Sequence, residues 1–169
     1  MLARGGQDGS VGTDQVARFL VDGMAVRLGK YLRCLGYDAE WEPGAGTAAL
    51  ARRARAEDRI LLSRNTRLGQ EIEPPPRWLP LAGEDPVEQL GQVARAFGLD
   101  TEERLFTRCI RCNVELDAAR PEDVAARVIE PVRARHRLFF ACPRCGTVFW
   151  RGSHVANTCR KLGLEPPAE

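Results

Sequence analysis

Four of the six cysteines fall in two pairs of identical spacing, Cys109-Ile110-Arg111-Cys112 and Cys142-Pro143-Arg144-Cys145. A two-residue gap lets both thiolates of a tight turn point at one ion, and two such turns complete the tetrahedral S4 shell that zinc takes at about 2.3 Å. Asn113 and Gly146 follow the pairs, where each turn needs a residue tolerant of positive φ. The long segment between the pairs adds a closure cost that grows only logarithmically. The competing chemistries are two disulfides or a redox dithiol, but a redox site does not need two matching pairs, and the opening MLARGGQDGSVGTDQ has no apolar secretory core. With all four ligands supplied by protein no coordination position stays open, so the expected ion is a structural Zn2+. Cys34 and Cys159 read as packed or incidental thiols.

The second chemistry is that of carboxylates. Asp22 closes the apolar run VARFLV, and a second apolar run, RILLSRNTRL from Arg59 to Leu68, ends abruptly in Ser63-Arg64-Asn65. Ligands of an open parallel sheet gather beyond the carboxyl ends of its strands. An acid such as Asp22 at that edge either caps the helix that follows or anchors a divalent cation, and position alone leaves both open. Asp38, Glu40 and Glu42 are further acids expected near the end of a second strand, while Asp85 reads as a helix cap.

Cations are the third group. The net charge of +2 makes no whole-molecule case for a polyanion, but the segment from Pro131 to Leu164 holds no Asp or Glu, while Arg133, Arg135, Arg137, Arg144, Arg151, Arg160 and Lys161 all fall there with His136 and His154. Such a block is either a solvated surface or a phosphate-binding face. Four thiolates around one divalent ion also leave a negative centre for these arginines to offset. Arg27, Lys30 and Arg33 step along one predicted helix and fan over a broad polar side.

These residues need elements to position them. Residues 16–22 read as a first strand, and GMAVRLGKYLRCLGYD as an amphipathic helix ending at Gly36. A short strand over 37–41, a helix over 47–56, the strand 59–63 and a strand over 78–81 follow. Glu73-Pro74-Pro75-Pro76 breaks the helix after the third strand, and Asp85, Pro86 and Glu88 open a capped helix that runs to residue 99. Alternating strands and helices predict a parallel α/β sheet covered on both faces. Beyond Asp100 the chain turns to short Cys-containing segments around a polar, helix-like PEDVAARV. The expected organisation is a disordered leader over 1–16, an α/β domain over 17–100 and a four-cysteine ribbon over 101–165. No run reaches the roughly 20 apolar residues of a membrane span, and 44% apolar with 28% charged residues is the composition of a soluble, here cytoplasmic, protein.

Five stretches in order, FLVDGMAVRLGKYLRCLGYD, RILLSRNTRL, EDPVEQL, FTRCIRCNVEL and FFACPRCGTVFWRGSH, resemble the Mut7-C family, a PIN-like ribonuclease domain followed by a zinc ribbon. The resemblance covers about residues 17–160. It implies a three-layer α/β/α sandwich with a mostly parallel sheet, and metal-dependent hydrolysis of RNA phosphodiesters with Mg2+ or Mn2+ held at the strand ends. It places the first family aspartate at Asp22, with Asn65 and Asp38 as supporting catalytic positions. It also implies an RNA surface made by Arg27, Lys30, Arg33, Arg64, Arg144, Trp150, Arg151 and His154. Two departures stand out: Asn65 replaces the acid that usually closes the third-strand motif, and Thr47 stands at the acidic position opening the second helix. The alternative the departures favour is a relative that binds structured RNA, such as tRNA or the ribosome, through its arginine-rich ribbon without cutting it. Trp150 and Phe149 offer stacking surfaces for bases, or else plug the ribbon against the sheet domain.

Overall fold

The computed structural model describes residues 16–167; the expected leader, apart from Val16, lies outside them. Strand β1 (Arg18–Val21) leads through a 3-10 turn (Gly23–Ala25) into helix α1 (Val26–Cys34), followed by β2 (Asp38–Trp41), α2 (Thr47–Ala56), β3 (Ile60–Ser63), the single turn α3 (Leu68–Glu71), β4 (Trp78–Pro80) and α4 (Pro86–Phe97). The four strands form one parallel sheet in the order β2-β1-β3-β4.

Strand alternation sorts the side chains into two layers. Phe19, Val21, Ile60 and Leu62 point to one face, where Leu28 and Leu32 of α1 and Leu90 and Val93 of α4 cover them. Leu20 and Leu61 point to the other face, against Leu50, Ala51 and Ala54 of α2 and Leu68 of α3. Both faces are thus dry, which is why β1 and β3 read as continuous apolar runs rather than alternating ones. The three-layer α/β/α sandwich expected from the sequence is present.

All four strands run the same way, so their carboxyl ends share one edge. The amide of Asp22 donates to Leu62 O at 2.9 Å and that of Leu81 to Ser63 O at 2.8 Å, carrying the ladder one residue past the strands at that edge.

The C-terminal half builds a second, antiparallel sheet from β5 (Asp117–Ala119), β6 (Phe139–Ala141) and β7 (Val148–Trp150), with a short helix α5 (Glu130–Arg135) between β5 and β6 and a final helix α6 (Ser153–Leu162). The stretch expected to be helical around PEDVAARV is instead a run of turns. Val124 and Val128 tuck into a small cluster with Phe139, and the turns are closed by bonds such as Asp123 N to Arg120 O and Arg127 N to Val124 O. Helix α6 belongs to the main core: Val155 and Cys159 pack in the same cluster as Phe19 and Leu32. Its apolar spacing, Val155, Cys159 and Leu162 before a left-handed Gly163, is a local helix signal within the span expected to be the four-cysteine ribbon, where no helix was expected at this position. Among the described residues no helix is long and apolar enough to cross a membrane.

Gly36 links the two halves. Its φ is +85°, and a Cβ there would meet Arg104 O at 2.5 Å and Thr107 Oγ1 at 2.8 Å. Gly36→Ala therefore combines left-handed strain with overpacking, and the expected loss is about 3 kcal/mol of stability, read as a lower urea midpoint at unchanged slope. A midpoint equal to wild type would show that the segment 104–107 is not seated on this turn.

Candidate functional site

At the shared carboxyl edge of the parallel sheet lies an open cleft of about 510 Å³, lined by Asp22, Met24, Gly46, Thr47, Arg64 and Asn65 among others. Of the two parts that its sequence position left open, Asp22 takes that of the cap. Its Oδ1 accepts from the amide of Met24 at 2.7 Å, capping the 3-10 turn, and its Oδ2 accepts from the hydroxyl of Ser63 at 2.8 Å. The Ser63 Oγ in turn accepts from the amide of Asn65 at 3.0 Å. Ser63 is 2% exposed, so this chain of bonds fixes the carboxylate on the end of β3. Asn65 accepts from the amide of Arg67 at 2.9 Å and reaches Thr47 Oγ1 from Nδ2 at 3.4 Å.

The tertiary fold therefore gathers Asp22, Thr47 and Asn65 from three separate segments into one cleft, and two of the three are neutral. Asp22 is the one acid among the described residues that line it. Among the described residues, the grouping of three or more His, Cys, Asp or Glu ligands close enough to share an ion is the four-cysteine cluster, and it does not include Asp22. Mg2+ takes six hard oxygens in near-octahedral geometry, and a protein that holds it unaided brings charge to do so. One carboxylate, already accepting two hydrogen bonds, beside neutral hydroxyl and amide oxygens does not fit a resident divalent ion.

Two expected site residues belong elsewhere. Asp38 starts β2, paired with Arg18, whereas Asp22 follows Val21, the partner of Trp41. Four residues of strand, about 13 Å, separate their levels along the sheet. Asp38 instead accepts from Arg59 at 2.7 and 3.1 Å, from Arg18 at 3.1 Å and from Asn113 at 2.6 Å. Burial pushes its pKa up, but the Arg59, Asn113 and Arg18 donors outweigh that and hold it at about 2. Arg33 is not on an open polar fan: it is 3% exposed, its guanidinium lies 3.7 Å over the Trp41 ring, and it donates to Ala39 O, Ile110 O and Arg111 O. The three-residue step along α1 hid this, because Arg33 falls where the knuckle of the first cysteine pair is seated against β2. Arg27 and Lys30 remain exposed on α1. Arg64 lines the cleft and is paired with Glu84 at 2.6 Å.

The four cysteines come together as the spacing requires. Their sulfur atoms all lie within 4.8 Å of one another, and Cys109 Sγ is 4.0 Å from Cys145 Sγ. A tetrahedron with metal–sulfur bonds of about 2.3 Å has edges of about 3.8 Å, so the cluster fits a structural metal ion such as zinc. The two turns are copies of one another: Cys112 N and Cys145 N face the first sulfur of their pair at 3.4 Å, and the amides of Asn113 and Gly146 donate to the carbonyls of Cys109 and Cys142. Asn113 and Gly146 take the positive φ, +60° and +69°. Thr147, through its hydroxyl 3.2 Å from Cys145 Sγ and its backbone, holds the Cys145 thiol down at about 6, poised to ionise. Arg144 lies on the surface of this centre, reaching Cys112 O at 3.4 Å.

Asn113 has a role the sequence did not reveal. Its Nδ2 donates to Asp38 at 2.6 Å and Glu40 at 2.9 Å, and its Oδ1 accepts from the amide of Ala39 at 3.1 Å. It thereby pairs the outer edge of β2, which would otherwise present open backbone groups. Only its tolerance of positive φ was readable from sequence.

A family model described as the Mut7-C RNAse domain matches residues 17–162. The chain belongs to the Mut7-C RNAse domain family. No curated protein and no solved structure gives a significant match. The Mut7-C match runs through the parallel sheet, the cysteine cluster and α6 alike, so the cleft and the metal centre both lie within it.

Proposed function

We propose that this Mut7-C protein binds structured RNA through its arginine-rich four-cysteine module and α1, and presents to it a weakened ribonuclease cleft centred on Asp22. The observation that carries the reading is the neutral pair Thr47 and Asn65 beside a single carboxylate. A lone Asp22 beside neutral groups would hold Mg2+ or Mn2+ only weakly, so metal-assisted hydrolysis at this cleft would be slow. Zn2+ in the cysteine cluster holds the module that carries Arg144, Trp150, Arg151 and His154. The substrate pool is cytoplasmic, with tRNA and ribosomal RNA as the structured RNAs to try first. The second reading is a fully active metal-dependent ribonuclease, which the retained, rigidly held Asp22 at the strand edge favours.

The two readings part in one experiment, cleavage of end-labelled tRNA in Mn2+ by wild type, Asp22→Ala and Asn65→Asp. The expected result is retention of RNA with little cleavage by wild type, at least about tenfold faster cleavage by Asn65→Asp, where a second carboxylate strengthens the ion site, and none by Asp22→Ala. Rapid wild-type cleavage lost in Asp22→Ala would establish the active enzyme instead. If tRNA is neither bound nor cut by wild type or Asn65→Asp, both readings fall.

A further inference from the structure

Two cavities in the C-terminal half share one residue. The first, of about 240 Å³, is walled by Phe106, Phe140, Phe149 and Trp150 and closed by Val155 and His154 of α6. The second, of about 190 Å³, is lined by Arg135, His136, Arg137, Leu138 and Arg151. Arg151 lines both.

From this we infer that the module carries a nucleotide site, with an unstacked base of RNA in the aromatic cavity and its phosphate in the arginine cavity, Arg151 bridging them. The inference rests on the RNA-directed reading above but concerns a place remote in sequence from Asp22.

The charges support this occupant. Arg135, Arg137 and Arg151 make no ion pair and no side-chain hydrogen bond among the described residues, in a segment whose sequence from 131 to 164 contains no acid. Three arginines line this one small cavity, and a phosphate there would take the bidentate bonds arginine is shaped to give. Arg108, which also touches the aromatic cavity, is a fixed wall instead: it donates to Gly36 O, Asn113 O and Glu115.

The aromatic cavity is built rather than incidental. The Trp150 indole stands edge-on to His154, ring centroids 5.8 Å apart, and against Phe139 at 6.5 Å. Its position depends on Gly152, where a Cβ would meet Trp150 Nε1 at 2.8 Å. Phe106 holds a φ of +56°, unusual for a bulky side chain, with its amide donating to Cys34 O at 2.7 Å. A planar π surface beside convergent cations is the pairing that single-stranded nucleic acid sites use, stacking for the base and arginine for the backbone. A purely apolar partner would leave the arginine cavity without a counter-charge.

The test is titration of the full chain with 5′-AMP, adenosine and inorganic phosphate, followed by tryptophan fluorescence, and of labelled single-stranded RNA by anisotropy. The expected result is saturable quenching by 5′-AMP that phosphate competes with and that is absent in Trp150→Phe. Arg151→Gln and the exposed Arg137→Gln should weaken 5′-AMP by about tenfold or more while leaving adenosine unaltered and the melting temperature unchanged, and Asp22→Ala should bind 5′-AMP as wild type. Wild-type 5′-AMP affinity in both arginine variants would overturn the proposal. So would equal binding of adenosine and 5′-AMP with no competition by phosphate, which would assign the cavity to an apolar protein segment. If RNA is retained by Arg151→Gln as by wild type, the nucleotide site falls while the RNA-directed reading stands. If 5′-AMP binds as expected but no RNA does, the site stands and the RNA-directed reading falls.

Discussion

Stripping the metal from the four-cysteine cluster is expected to unfold the C-terminal module and to loosen the β2 edge of the parallel sheet with it. The module has little else to hold it. Its strands are three residues each, and its own apolar cluster is built around Val124, Val128 and Phe139. Structural zinc in small domains supplies roughly 10–16 kcal/mol of apparent binding free energy, against a whole-protein stability of about 5–15 kcal/mol. Loss of the ion therefore exceeds what the small cluster can sustain. The disturbance should then travel, because the first cysteine turn is bonded to the α/β domain at two points, Arg33 of α1 and the β2 edge. Arg33 holds the carbonyls of Ile110 and Arg111, and Asn113 holds Asp38, Glu40 and the amide of Ala39. Hydrogen exchange before and after chelation measures this: protection should vanish in β5–β7 and fall in β2, while β1 and β3, buried on both faces, keep most of theirs. Cys142→Ser should reproduce the chelated pattern. Unchanged protection of β5–β7 after chelation, or a metal content far below one ion per chain, would refute the structural role of the cluster.

The second large effect is expected at Asp38. Arg59 is 7% exposed and is bonded to both oxygens of Asp38, to Phe19 O at 3.1 Å and to Glu57 at 2.6 Å. Asp38→Ala leaves this guanidinium short of its main counter-charge, and removing one member of a buried pair costs roughly 3–5 kcal/mol. Glu57 remains beside Arg59, so the lower end of that range applies. The same group makes stability depend on pH. The folded carboxyl titrates at about 2, below its ordinary 3.8. Its contribution is therefore complete above about pH 4 and is lost as the pH falls through 2, amounting to about 2 kcal/mol. Glu57, held low first by Arg53, adds in the same direction. Urea midpoints measured from pH 6 to pH 2 should fall for wild type and fall less steeply for Asp38→Asn. An Asp38→Asn protein with the wild-type acid slope would refute the account.

What was readable in advance follows from the range of the interactions involved. The parallel sheet announced itself through apolar runs such as Phe19–Val21 and Ile60–Leu62, because a strand buried on both faces leaves no polar positions. Asp85 was readable as a cap because its bond, to the amide of Val87 at 2.8 Å, spans two residues. The cysteine centre was readable from spacing alone, since a metal shell is built from local turns whose geometry the gap sets.

Arg33 and Asp38 were misplaced for the opposite reason. Arg33 meets Ile110 and Arg111 across more than seventy residues, and Asp38 meets Asn113 across seventy-five. A helix period or strand alternation carries no record of such partners. Helix α6 was missed differently: its apolar spacing is local, but its partner surface, including Phe19 and Leu32, lies at the other end of the chain.

By itself, then, the sequence determined the two kinds of local unit, strands and turns whose identity depends on neighbours a few residues away, and the chemistry of the thiolate centre. Only the tertiary structure decided which acids and cations share a site. It brought Asp22, Thr47 and Asn65 to one sheet edge, sent Asp38 to the other end, and buried Arg33 under the cysteine turn. The physical reason is that a carboxylate or guanidinium is assigned its role by the charges and solvent around it, and those arrive from distant segments only when the chain packs.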